Sequence, residues 1–429
     1  MTDLKLQLLA DKVEVIEKLI VEFKDLNDKE RYQKIFQAKN EEKNIISTAV
    51  WLLSLREKAQ EKFNEADIMF FNSLGLEQSS SQRISEHIAS RFQANWQVCD
   101  LSVGIGANAL AIAKKCQQVL ANDSNEETLF IAKLNAKALG LSEKMEFSHL
   151  KAEELVEYLL NKDDSVIAKK YHKVDAFFLD PDRNREAKTK TRSIINSSPN
   201  LLEILPKLFA ITKNVGIKIS PAFDYQEIEM LPEEPEIEII SENNSCKVAM
   251  LWFGDFKRNV RSATCLRKDG NYLFSSDSLD NYLETTKPAK YIYEADKALT
   301  KSHLVNELAS KLKLTKISHH SNYLTSDLLP EEIKLDDNHE AKELKRLFNV
   351  FNIFEVVSVF NSSFKDLKKQ LSKMGVERVE IKAKNHFLKV EEIYKKLNLK
   401  EGGDFSLLFL DLPEMPKGLI LMKRLKAKI

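Results

Sequence analysis

Only four cysteines occur in 429 residues, Cys99, Cys116, Cys246 and Cys265, and none stands in C-x-x-C spacing. A zinc site, an iron–sulfur cluster or a disulfide framework is therefore not expected, and no metal is assigned. No apolar run approaches the roughly twenty residues that a membrane-spanning helix needs. The opening Met1-Thr2-Asp3-Leu4-Lys5 is polar and runs into a charged amphipathic stretch, unlike a secretory leader. Together these absences predict a cytoplasmic chain with no membrane partner. Net charge is lacking as well: 65 Lys and Arg balance 65 Asp and Glu, so the whole chain offers nucleic acid no general attraction. What is present, 43% hydrophobic and 30% charged residues, argues against disorder, and the length predicts two to three domains with ample core.

The most informative stretch runs from Val98 to Leu139. Val98-Cys-Asp100-Leu-Ser-Val-Gly104-Ile-Gly106 is an apolar run closing on two glycines, and Ala107 to Lys115 follows with apolar residues at helical spacing. Gly104 and Gly106 let the backbone approach a ligand closely and open a helix whose free amides favour an electron-rich group. A second apolar run, Gln118 to Asn122, ends at Asp123, about twenty residues on, where an acid commonly accepts ribose hydroxyls in a doubly wound sheet. The third glycine of the dinucleotide fingerprint is missing, since Gly104 to Ala109 spells G-x-G-x-x-A. Asp100, four residues before the first glycine, suits a ligand carrying an ammonium group and would repel a pyrophosphate.

On these residues the chain resembles the class I S-adenosylmethionine-dependent methyltransferases, with Asp100 to Gly106 as their first motif and Asp123 as their ribose-binding acid. Val174-Asp-Ala-Phe-Phe-Leu-Asp180-Pro181-Asp182-Arg183 resembles their fourth motif, of the D-P-x-R kind. Within that superfamily it most resembles bacterial methyltransferases with a THUMP-like C-terminal domain. Glu77-Gln-Ser-Ser-Ser81, Tyr291 to Asp296, Tyr323 to Asp327 and the basic tail from about Phe354 add to the likeness. The resemblance implies S-adenosyl-L-methionine as cofactor and an RNA partner, transfer or ribosomal. The oligomeric state is left open.

The expected fold class is α/β: a Rossmann-like class I methyltransferase sheet, a helical N-terminal domain, and small C-terminal α+β modules, ferredoxin-like and THUMP-like. Residues 1–76 are nearly free of Gly and Pro, and Leu9, Val13, Ile16, Ile20 and Phe23 fall on one helical face. The methyltransferase domain is expected over 77–256, with strands at Met145–His149, Val174–Leu179 and Val215–Ile219 and a closing hairpin, Ile237–Ile240 with Val248–Phe253. Residues 257–345 are expected to hold a linker and the ferredoxin-like domain, with one helix from Lys297 to Leu312. The basic THUMP-like domain is expected over 346–429, with helices Lys365–Met374 and Val390–Leu397. From Asn361 to Ile429 there are 16 Lys or Arg against 9 Asp or Glu, an excess of +7 that the rest of the chain offsets. Such a segment suits phosphate contacts, although lysine-rich faces are common on any soluble domain.

Methyl transfer from a sulfonium needs mainly alignment and the handling of one proton. Asp180, at the end of the fourth strand, is the expected catalytic residue, with Pro181 stiffening the turn and Arg183 orienting it or meeting phosphate. The cofactor is expected to meet Asp100, Gly104, Gly106, Asp123, Asp180 and Pro181. At the adenine end Lys151 stands where an acid is usual, so Glu153 is taken as its substitute. Asn135 is read as a helix-packing or surface residue rather than a ligand, and Trp252 and Tyr293 as core. Asn184 replaces the second arginine usual in the family, leaving Arg185 as a further candidate. No second proline or aromatic follows Pro181 to stack a flipped base. No cysteine follows the fifth strand, which disfavours covalent uracil C5 chemistry. The alternatives are a non-catalytic binder of S-adenosylmethionine or RNA, a methyltransferase acting on protein or a small molecule, and a nicotinamide oxidoreductase on the same βαβ unit.

Overall fold

The N-terminal periodicity becomes three helices, α1 (Thr2–Phe23), α2 (Asp28–Gln37) and α3 (Asn40–Ala59). The computed structural model describes residues 2–161, 173–183, 197–278, 282–335, 339–361, 364–383, 389–412 and 415–425. Leu9, Ile16, Ile20 and Phe23 are buried along α1, and Val13 is half-buried. Asn27 and Glu30 form a reciprocal capping box that starts α2. Buried Arg56 of α3 clasps Glu17 of α1 with two bonds of 2.9 and 2.6 Å and donates to the Met69 carbonyl at 2.8 Å. This ties the helices to the segment that enters α4 (Ser73–Gln78) and α5 (Gln82–Ala89).

The chain forms two units, Met1–Glu236 with Ala249–Arg258, and Ile237–Val248 with Asn259–Ile429. In the first, strand and helix alternate: β1 (Gln97–Asp100), α6 (Ala107–Lys115), β2 (Gln118–Asn122), α7 (Glu126–Ala138), β3 (Met145–Ser148), α8 (Ala152–Asn161) and β4 (Ala176–Leu179). A short ribbon follows, β5 (Asp182–Arg183) with β6 (Ser197–Ser198), then the helix Leu201–Ile211 and β7 (Val215–Ile219). The sheet order is β3-β2-β1-β4-β7, all parallel, and Ala249–Trp252 of β9 (Ser245–Trp252) closes it antiparallel on β7. β1, β2, β4 and β7 are buried at their central positions, as expected where helices cover both faces, while the edge strand β3 is half-buried there. Trp252 lies fully buried among Phe92, Trp96, Phe178 and Phe256.

In the second unit β8 (Glu236–Glu242) pairs in parallel with β10 (Arg261–Arg267), and β10 pairs antiparallel with β11 (Gly270–Ser276). The remaining strands are β12 (Tyr291–Ala295), β13 (Thr315–Lys316), β14 (Tyr323–Ser326), β15 (Phe351–Asn361), β16 (Arg378–Ala383), β17 (Lys400–Glu401), β18 (Phe405–Leu412) and β19 (Met415–Arg424). They form one eight-stranded sheet, β13-β14-β12-β15-β19-β18-β16-β17. Residues 257–345 therefore do not close into a module of their own: β12 pairs along its length with β15, so the ferredoxin-like and THUMP-like portions share a sheet. Along β18, Leu407 and Phe409 face one core, which includes Leu367, Leu371, Ile393 and Leu397 of the helices Phe364–Lys373 and Val390–Leu397. Leu408 and Leu412 face the other. Tyr293 is fully buried, with its hydroxyl donated to the Leu328 carbonyl at 2.6 Å.

The single helix expected over 297–312 is broken into Lys297–Lys301 and Val305–Lys311. His303 sits between them at φ +63°, and the Leu304 amide turns back to the Leu299 carbonyl. Leu299, Leu304, Leu308 and Leu312 are all buried, so the apolar spacing survives a turn that interrupts the helix.

Candidate functional site

The glycine turn is held open by its neighbours. The Leu101 amide donates to the Phe178 carbonyl of β4, and the Val103 amide to the Asn122 carbonyl of β2, which fixes the exit from β1. Gly104 (φ +55°) and Gly106 (φ +97°) then adopt left-handed backbone that a side chain would strain. A Cβ placed on Gly104 would meet no described atom within 4 Å, so this backbone is bare toward the space above it. Gly106 is the N-cap of α6 and supplies no side chain to its first amides.

That space is a cavity of about 720 Å³ at the carboxyl ends of the parallel strands, where open α/β sheets bind their ligands. Gly104, Asp123, Glu153 and Asp180, all singled out from the sequence, line it together. Asp123 is held by two amides: Gly104 N–H donates to its Oδ2 and Asn125 N–H to its Oδ1, each at 2.8 Å. The remaining lone pairs of both oxygens are free to accept from a diol. Beside it buried Asn122 donates to the Leu101 and Leu150 carbonyls and accepts from the Leu150 amide, joining β1 to the loop after β3. Glu153 and Glu154 come from the first turn of α8 and, with Lys151, form the wall at that end.

Asp180 stands opposite. Its amide donates to Ser102 Oγ at 2.8 Å and its carboxylate pairs with Lys218 Nζ from β7. Lys218 is 12% exposed and Asp180 36%, so the lysine end of the pair is withdrawn from water while the carboxylate stays open. Sequence reasoning missed Lys218; the available signal was a lone cation inside the otherwise apolar strand Val215-Gly-Ile-Lys-Ile219. Asp182, Ser198 and Pro199 complete this end from the ribbon.

Three expected residues sit elsewhere. Asp100 is 1% exposed and lies behind the wall rather than on it, accepting the Ser102 amide at 3.1 Å. Burial pushes its carboxyl up to about 8, against the Ser102 hydrogen bond and with help from the nearby charges of Asp180 and Asp123. In this geometry it orders the turn and is not placed to meet a ligand's ammonium directly. Gly106 and Pro181 shape the cavity from just outside its lining. The backbone of Arg183 lies in β5, while its side chain, Asn184 and Arg185 lie outside the described residues.

Asn135 is fully buried and is more than a packing residue. It accepts from the Phe70 amide at 2.6 Å and donates to the Phe70 and Ile105 carbonyls at 3.0 and 2.9 Å, bracing the glycine turn from behind. Among the described residues no cluster of His, Cys, Asp or Glu is arranged to hold a metal, and no helix is long and apolar enough to cross a membrane.

The donor set fits a nucleoside bearing a charged tail. An acid held for a diol, a bare glycine turn and an uncapped helix start are what such a group needs, and the volume falls within the range of small-molecule sites.

Comparison with known proteins agrees. A family model described as THUMP domain-like matches residues 351–423. The Mycobacterium tuberculosis protein Rv3037c, described as an uncharacterized S-adenosylmethionine-dependent methyltransferase, is 24% identical over 297 residues, 67% of this chain and 76% of its own. A tRNA (guanine(37)-N(1))-methyltransferase of Trichomonas vaginalis is 37% identical over 71 residues, 17% of this chain and 19% of its own. A crystal structure of a protein assigned as a methyltransferase from Porphyromonas gingivalis W83 shares the fold, with a TM-score of 0.74 at 19% identity over 96% of this chain and 98% of that one. First motif, sheet order, relatives and C-terminal match converge: the chain has the fold of, and is similar to, class I S-adenosylmethionine-dependent methyltransferases, and it carries a THUMP domain-like segment over residues 351–423.

Proposed function

We propose that the enzyme methylates structured RNA, with the THUMP-like domain docking the substrate and Asp180 beside the target atom. The observation that carries this reading is a lysine face on the matched domain. The helices Phe364–Lys373 and Val390–Leu397 bury Leu367, Leu371, Ile393 and Leu397, and turn Lys365, Lys368, Lys369, Lys373, Lys395 and Lys396 to solvent. Phosphate neutralisation by such a face supplies sequence-independent affinity, which suits recognition of a folded RNA by shape.

At the cavity, bound S-adenosylmethionine supplies an electrophilic methyl group. Asp123 holds the ribose, Gly104 lets the backbone close on the ligand, and Glu153 meets the adenine end. The Asp180 carboxylate, balanced by Lys218, accepts a hydrogen bond from the acceptor's N–H or O–H and takes its proton as the new bond forms. Arg183 is assigned to the phosphate of the incoming nucleotide. Residues 1–76 are assigned to a helical N-terminal domain, 77–256 to cofactor binding and chemistry, 257–345 to the linker and ferredoxin-like portion, and 346–429 to substrate docking.

The test is transfer of labelled methyl from S-adenosylmethionine to total RNA of a strain lacking this gene. Wild type labels RNA, while Asp180→Ala binds S-adenosylhomocysteine and labels nothing. Charge reversal of Lys368, Lys369, Lys395 and Lys396 leaves cofactor binding intact. It weakens RNA binding and lowers its salt dependence by about 0.7–0.9 in slope for each phosphate that is no longer neutralised. RNA left unlabelled by a cofactor-binding wild type moves the acceptor to protein or a small molecule.

A further inference from the structure

A second cavity, of about 430 Å³, adjoins the cofactor cavity, and Leu74, Asn125 and Thr128 line both. One of its walls comes from the N-terminal helices, through Lys5 of α1 and Trp51 of α3. Lys5 is half-buried, and its Nζ lies 4.9 Å from the centre of the Trp51 ring. Burial lowers the pKa of this ammonium from the ordinary lysine value, and it has no carboxylate partner among the described residues. A partly desolvated charge costs free energy unless it is paired, and the ring contact offsets only part of that cost.

Asn72 lines the same cavity and is 7% exposed. Its Oδ1 accepts the Gly75 amide at 2.6 Å, which fixes which end of the side-chain amide is oxygen. Its Nδ2 has no hydrogen-bond partner among the described residues and is not sealed from solvent, so it is a donor open to the cavity. Glu127, the acid of this lining, is engaged elsewhere and makes no ion pair with Lys5. The cavity therefore combines an unpaired ammonium, an amide donor and an aromatic ring, at a volume within the range of small-molecule sites. An apolar ligand would leave the ammonium unpaired, and a small inorganic anion would leave the ring and most of the space unused. A base with its phosphate uses all three.

We infer that this cavity seats one nucleotide of the substrate strand, with its phosphate on Lys5 Nζ and Asn72 Nδ2 and its base against Trp51. The helical N-terminal domain thereby takes part in substrate docking. The inference rests on the RNA reading above and adds a contact to it. Asn125, whose amide holds Asp123, belongs to both cavities, so the seated nucleotide lies beside the ribose end of the cofactor site.

The full chain, saturated with S-adenosylhomocysteine so that the cofactor cavity is filled, is titrated with a short labelled single-stranded RNA and, separately, with uridine monophosphate. Anisotropy of the label reads binding, and tryptophan fluorescence reads the seat, because Trp51 is half-exposed whereas Trp96 and Trp252 are buried. RNA is expected to quench the wild type and not Trp51→Phe. Lys5→Gln is expected to weaken RNA about three- to tenfold and to lower the salt slope by about 0.7. Asn72→Asp keeps the acceptor for Gly75 but turns the donor into an acid, and is expected to weaken RNA about tenfold. Both variants keep wild-type affinity for S-adenosylhomocysteine, which shows that they fold. RNA bound without quenching, or with affinity and salt slope unchanged in both variants, overturns the seat and leaves the RNA reading standing. Quenching by uridine monophosphate with the same dependence, but no binding of RNA, keeps the seat for a free nucleotide and marks the failure of the RNA reading. Quenching by neither ligand overturns the seat.

Discussion

Asn135→Ala tests whether the cofactor turn is braced by one buried amide. The substitution removes the acceptor for the Phe70 amide and the donors to the Phe70 and Ile105 carbonyls, at a site with no access to solvent. Each orphaned buried group costs about 1–3 kcal/mol, and partial relaxation keeps such sums near the upper end of single-mutant effects, so the expected loss is about 3–5 kcal/mol. All three tryptophans, Trp51, Trp96 and Trp252, lie in the first unit, so their fluorescence in urea reports the unfolding of that unit. With a urea slope on the order of 2–3 kcal/mol/M, the midpoint should fall by roughly 1–2.5 M. The S-adenosylhomocysteine-induced rise in melting temperature should shrink too, because Ile105 lies in the turn that forms the cavity floor. A stability loss below about 1 kcal/mol would refute the brace and return Asn135 to simple packing.

Arg91 and Glu236 form a buried pair with two nitrogen–oxygen distances of 3.1 and 2.8 Å, and the guanidinium lies 5.4 Å from the centre of the Trp252 ring. Arg91→Met leaves the carboxylate buried without its guanidinium partner and should cost about 3–5 kcal/mol, read from the same fluorescence transition. Asp100 predicts a pH dependence. Its carboxyl is raised to about 8 in the fold against about 3.9 unfolded, so the folded state binds the extra proton between those values. Stability from this group is complete below about pH 4 and is lost as pH rises toward 8. The urea midpoint should therefore decline across that window, and Asp100→Asn should flatten the decline; an unchanged slope in the variant counts against a protonated Asp100.

Local patterns were legible wherever backbone geometry follows from residue type at short range. Gly104 and Gly106 announce a turn because their left-handed backbone suits glycine, and Asp123 at the end of an apolar run announces an acid at a strand tip. Val215–Ile219 and Val390–Leu397 have the bounds that their apolar spacing predicts. The same spacing misled at His303, because four leucines can stay buried on either side of a turn as well as along one helix.

What the sequence by itself determined is the alternation of strands and helices, the glycine turn and the acids that end the strands, since each depends on neighbours a few residues apart. Tertiary structure alone decided which of these groups meet. It set Lys218 against Asp180 across 38 residues and Asn135 behind the turn from 65 residues beyond Phe70. It also sank Asp100 beneath the cavity wall and left Ser80 Oγ without a hydrogen-bond partner among the described residues, because burial and pairing depend on atoms brought together by the folded sheet and not on the order of the chain.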